Sequence, residues 1–95
     1  MKSNIIYIIS SDDNGVFYYK IGITNDLNKR LKAVKTGNQH KVKVEYYEEI
    51  DKSVDIRKME IWTHSIFSDK RKEGEWFFDL TVKEIRKEIY KYLVK

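Results

Sequence analysis

Residues 4–10, Asn4-Ile5-Ile6-Tyr7-Ile8-Ile9-Ser10, decide the fold. The run is β-branched and aromatic and too short for a helix, so it reads as a central strand buried on both faces. Working outward, residues 11–15 (Ser-Asp-Asp-Asn-Gly) are turn formers and residues 16–23 are again aromatic and β-branched, which makes a hairpin. Thr24, Asn25 and Asp26 are helix caps. Behind them Leu27, Leu31 and Val34 recur at helical spacing until Gly37 supplies a stop. Val42, Val44, Tyr46, Glu48 and Ile50 then alternate with more polar neighbours, the period of a half-buried third strand.

Ser53 can cap a second helix whose apolar face is Ile56, Met59, Thr63, Ile66 and Phe67, ending near residue 68, with Glu60 and His64 on one edge. Residues 70–74 read as a charged loop and Glu75-Trp76-Phe77-Phe78 as a short aromatic segment. Thr81-Val82-Lys83-Glu84 is a capping box for a last helix carrying Ile85, Ile89, Tyr92 and Leu93. The expected order is ββαβα, an aromatic segment and a closing α, with no repeat and no linker. A small α/β (α+β) sandwich follows, one domain over residues 1–95, with helices flanking a three-stranded, largely antiparallel sheet.

Hydrophobic residues make up 41% of the chain and aromatics 14%, which argues for a folded globule over a disordered tail. The absence of cysteine excludes disulfides and thiolate metal sites. Carboxylate, imidazole and water remain as ligands, and they suit a hard cation. No basic-then-apolar leader opens the chain and no apolar run approaches the roughly 20 residues that span a bilayer. A soluble, intracellular protein without membrane contact, in the cytoplasm or nucleus of a host, is the expectation. The net charge of +4, from 19 Lys and Arg against 15 Asp and Glu, is a modest excess. Its distribution says more: Lys29, Arg30, Lys32, Lys35, His40, Lys41 and Lys43 gather with Asp26 as the one acid near them. Such a cluster meets a phosphate backbone or is a solvated helix face.

Ile5-Ile6-Tyr7 on the first strand, Lys20-Ile21-Gly22 ending the second, Arg30 on the first helix and Glu60 on the second resemble the GIY-YIG nuclease pattern. More narrowly, several segments resemble its phage and viral branch, related to phage open reading frame 172. These are residues 19–24, residues 25–31, Thr36-Gly37-Asn38, Glu60 with His64, and Glu75-Trp76-Phe77. The pieces stand in the family's order, keep its ten-residue step from Lys20 to Arg30, and cover almost the whole chain. The chain departs from the common pattern at Ile5, where the family has glycine, and at Lys20, where most of the superfamily has tyrosine.

The resemblance implies a metal-dependent DNA endonuclease that hydrolyses phosphodiester bonds. Glu60 would hold Mg2+ or Mn2+, and Arg30 would clamp the scissile phosphate with its planar fork. Taken alone, Glu60 reads as an exposed carboxylate paired with Arg57, and Arg30 as solvated. Tyr7, which in isolation is a core aromatic with its hydroxyl at the surface, would face the nucleophile. Lys20 is expected to lower the pKa of that hydroxyl or of the attacking water, and His64 to relay a proton, orient water or touch phosphate, unless it is structural. The general base stays open among Tyr7, Lys20 and His64. Gly22 would permit close packing, and Trp76 would close the core with Glu75 as a supporting or structural acid. Lys29, Arg30, Lys32, Lys35 and Lys41 would contact the DNA backbone, with specificity supplied by a homodimer or partner chain. Two rivals stand beside this reading. One is a DNA-binding module of the same fold without turnover; the other is an RNA- or protein-binding domain using Tyr18, Tyr19, Tyr46 and Tyr47 as stacking platforms.

Overall fold

Strands β1 (Ile5–Asp13) and β2 (Val16–Thr24) pair along their whole length in a computed structural model that describes residues 4–37 and 40–94. Asn38 of the Thr36-Gly37-Asn38 segment lies outside the described residues. The hairpin closes on Asn14 and Gly15 alone, at φ 52° and 89°, the left-handed geometry that matches strand twist. The Gly15 N–H donates to the Asp12 carboxylate at 2.8 Å. Ser11, Asp12 and Asp13, read from sequence as turn, therefore belong to the strand.

β3 (Lys41–Glu49) pairs with the other side of β1, antiparallel, with a bulge between Ile8 and Ile9. The sheet has five strands and not the expected three. β4 (Arg71–Glu73) and β5 (Trp76–Phe78) form a second hairpin on the edge of β2, giving the antiparallel order β3-β1-β2-β5-β4. Residues 71–73 are charged and all exposed, so they carry no alternation to betray a strand. Backbone pairing alone places them, and their charge suits an edge.

Asp26 caps α1 (Leu27–Thr36), its side chain accepting from the Lys29 N–H. Asp55, not Ser53, caps α2 (Ile56–Ile66), taking the Lys58 N–H at 3.2 Å. Ser53 is engaged earlier, its N–H donating to the Asp51 carboxylate at 2.8 Å in a local turn. Thr81 caps α3 (Val82–Leu93) through the Glu84 N–H, as its capping box implies.

Cross-strand partners share a face of the sheet, and the registers divide the residues cleanly. Ile6, Ile8, Ile21 and Phe77 point to one face and pack with Met59 and Phe67 from the α2 side and Ile85 and Ile89 of α3. Seven of these, Ile6, Ile8, Ile21, Met59, Phe77, Ile85 and Ile89, are 0% exposed, each contributing about 1.5–3 kcal/mol by burial. The opposite face carries Tyr7, Ile9 and Ser11 across from Gly22, Lys20 and Tyr18, with Trp76 beside Lys20. There α1 lies against β1 and β3. Among the described residues no helix is long and apolar enough to cross a membrane.

Candidate active site

Tyr7 and Gly22 are direct partners across β1 and β2, and the hydroxyl end of the tyrosine ring occupies the space a side chain at Gly22 would need. A Cβ built on Gly22 would stand 2.4 Å from the Tyr7 hydroxyl oxygen, 2.6 Å from Cζ and 3.1 Å from Oε1 of Glu75. Gly22 has no positive φ, so close approach is what requires it. Tyr7 is only 1% exposed and cannot swing aside. Its ring is thus enclosed by the fold, with almost none of the residue reaching solvent. Gly22→Ala should cost roughly 1–3 kcal/mol by overpacking. A thermal melt with an unchanged midpoint would show that the ring does not need the gap.

β5 stops pairing with β2 at Lys20, and the next residue is held by two groups that take over the edge. The Ile21 N–H donates to the Glu75 carbonyl at 3.2 Å. The Ile21 carbonyl lies 2.7 Å from Nε2 of His64, which must be the protonated nitrogen because a carbonyl only accepts. The His64 ring also packs on Phe77 with centroids 5.1 Å apart. His64 therefore works here as a clamp between α2 and the sheet edge. Glu60, one turn earlier on α2, is carried to the site by that clamp.

Around Tyr7 the charges converge from separate elements. Burial pushes its hydroxyl up to about 12; the Glu75 carboxylate adds to this, Arg30 opposes it, and Glu60 raises it further. The expected lowering by Lys20 is not found. Lys20 spends its charge on Glu75, Nζ to Oε1 at 3.2 Å, with its ammonium 5.5 Å from the centroid of the Trp76 ring. Burial also raises the Glu60 carboxyl above its ordinary range, with Glu75 next, against the opposing pull of His64, Arg57 and Lys20. Arg57 acts on Glu60 through space, but among the described residues it forms no ion pair with it.

Glu60 is half-buried, and the carboxylate of partly exposed Glu75, itself paired with Lys20, raises the Glu60 carboxyl. Among the described residues no group of three or more His, Cys, Asp or Glu side chains could enclose an ion. A closed protein cage does not fit these residues; a hard divalent cation held by Glu60 would keep most of its waters.

Tyr7, Lys20, Gly22 and His64 thus gather along the second half of β2, and Arg30 and Glu60 act on Tyr7 through space. Glu75, read from sequence as a supporting or structural acid, joins them through its carboxylate, 3.2 Å from the Lys20 ammonium. The signal for that place was Gly74, whose φ of 55° marks a tight turn that sets Glu75 at the start of β5. Trp76 is half-buried on the Tyr7 face, away from the main core, while Phe77 is the core residue. Arg30, Lys29, Lys32, Lys35 and Lys41 are all exposed, the first four on α1 and Lys41 at the start of β3.

The four tyrosines do not form one platform. Tyr18 and Tyr19 alternate to opposite faces, and Tyr19 and Tyr46 pack against the core. The Tyr46 hydroxyl donates to Glu48, and the Arg86 guanidinium sits 4.6 Å over its ring. Only Tyr47 of the four is strongly exposed, at 58%.

A family model, that of the T5orf172 domain, matches residues 4–92. No curated protein and no solved structure matches the chain.

Proposed function

The chain belongs to the T5orf172 domain family, and from that premise we propose that it is a metal-dependent endonuclease of the GIY-YIG type that hydrolyses DNA phosphodiester bonds. One observation carries the reading. Arg30, Glu60 and Glu75, distant in sequence and held on different elements, all act electrostatically on the Tyr7 hydroxyl, and Lys20 pairs with Glu75 beside it. A solvated arginine and a surface glutamate have no structural reason to gather there.

Arg30, exposed beside that region, offers a planar fork to two phosphate oxygens at once. Glu60, with Glu75 near it, would hold Mg2+ or Mn2+. The ion supplies charge neutralisation on the phosphoryl oxygens and acidifies water. Tyr7 faces the attacking water as a phenol, because its raised pKa leaves almost no phenolate at neutral pH. A proton it takes from water has to be passed on as its own leaves. Glu75, whose carboxylate borders the same point on Gly22, is the acceptor. Lys20 holds that carboxylate in place. His64 is a positioning residue through the Ile21 carbonyl.

Supercoiled plasmid incubated with the protein and Mg2+ or Mn2+ should be nicked or linearised, and chelator should stop it. Plasmid that is bound but stays intact in both metals would instead make the protein a DNA-binding module of the same fold. Charge reversal at Lys32 and Lys35 should weaken DNA binding about equally for all sequences. It should also flatten the dependence of log affinity on log salt by about 0.9 for each phosphate that is no longer neutralised. An unchanged slope would place the backbone-binding surface away from α1.

A further inference from the structure

A groove of about 580 Å3 opens between the C-terminal end of α1 and the β4–β5 hairpin, lined among others by Ser11, Tyr18, His40, Lys72, Glu73 and Trp76. It lies on the same face of the sheet as Tyr7: Ser11 is across from Tyr18, and Trp76 is across from Lys20, two residues before Gly22. Lys20 links the two regions, reaching Glu75 at 3.2 Å and the centroid of the Trp76 ring at 5.5 Å. A second groove of about 600 Å3 shares His40 with the first and is lined by Phe17, Lys35, Lys41 and Lys43. The strand residues of this second groove, Phe17, Lys41 and Lys43, project from the other face of the sheet, so the two grooves meet only at His40.

We propose that the first groove binds an unpaired nucleotide of the DNA strand being cut, so that the substrate carries a single-stranded segment beside the scissile phosphate. This rests on the nuclease reading and adds the class of substrate. Size points to one base and not a duplex, since the volume is that of a small-ligand pocket, about 300–1,000 Å3. Chemistry points the same way. Trp76 and Tyr18 present faces on which any base stacks. Lys72 Nζ rests 3.9 Å from the centroid of the Tyr18 ring, so a base that stacks there displaces this flexible side chain and leaves its ammonium free to meet the nucleotide's phosphate. Asp13 and Glu73, which also line the groove, would repel a phosphate but accept from the amino groups of a base.

The test uses a labelled single-stranded oligonucleotide and a fully paired hairpin, both in chelator, with binding read by fluorescence anisotropy. Wild-type protein should bind the single strand more tightly than the hairpin. Tyr18→Ala and Trp76→Ala should each weaken single-strand binding about ten-fold, within the range for removal of one base stack. They should change hairpin binding much less. Trp76→Phe keeps a stacking face and should retain most of the affinity, which separates a missing stack from a failure to fold. Equal single-strand affinity in wild-type, Tyr18→Ala and Trp76→Ala, or a weakening that is the same for the hairpin, overturns the groove assignment. Plasmid cleavage by the same preparations is read in parallel. Groove-dependent single-strand binding without cleavage keeps the groove and removes the nuclease reading. Cleavage with groove variants that bind like wild-type does the reverse.

Discussion

Glu60→Ala and Arg30→Ala are each expected to lower plasmid cleavage by at least about a hundred-fold, the scale for removing one preorganised group that stabilises transition-state charge. Neither side chain belongs to the core cluster, so both variants should melt close to wild-type. They should differ in their metals. Glu60→Ala should lose the divalent ion measured by calorimetry, while Arg30→Ala should keep it, because the arginine meets phosphate and not metal. The acid side of the pH profile carries a further sign. Burial and Glu75 raise the Glu60 carboxyl, so it protonates at a higher pH than an ordinary glutamate. Metal affinity and cleavage should therefore begin to fall above the usual glutamate range as pH is lowered. Full activity in either purified variant would remove that residue from the site.

Tyr7→Phe should cost about a hundred-fold or more in rate at every pH from 6 to 10, the usual scale of general acid–base catalysis. A hydroxyl pushed up to about 12 contributes no inflection within that window, since the phenolate stays a minor species throughout. The rate should accordingly show no limb with a midpoint near the ordinary tyrosine value of about 10. Glu75→Gln separates two roles. If the carboxylate acts only as a charge, its removal lowers the Tyr7 pKa and the rate rises. As the acceptor of the Tyr7 proton, its removal slows the reaction, and that is the expected result. Lys20→Met should act through Glu75 and slow the reaction less than Tyr7→Phe. A limb centred near 10 that vanishes in Tyr7→Phe would mean a phenolate base with an ordinary pKa. A nearly silent Tyr7→Phe would remove the residue from the chemistry.

Local chemistry by itself determined much of this protein. The β-branched run at residues 4–10 could only be an inner strand, and Asn14-Gly15 could only turn a hairpin. The spacing of Leu27, Leu31 and Val34 behind Asp26, and the capping box at Thr81, specified α1 and α3, because caps and periodicity act within one or two turns of chain. Order and spacing also brought Tyr7, Lys20, Arg30 and Glu60 under suspicion. Tertiary structure decided what depends on neighbours from elsewhere in the chain. Arg71–Glu73 is a strand only because β5 supplies its hydrogen bonds, and Asp55 rather than Ser53 caps α2 because Asp51 had already engaged Ser53. The site's electrostatics were set in the same way. A pKa follows burial and the charges that surround a group, and those come from other elements. So Glu75, open between a supporting and a structural acid, took the Lys20 ammonium and raised Tyr7. His64, open between the chemistry and a structural role, was held by the Ile21 carbonyl where β5 runs out.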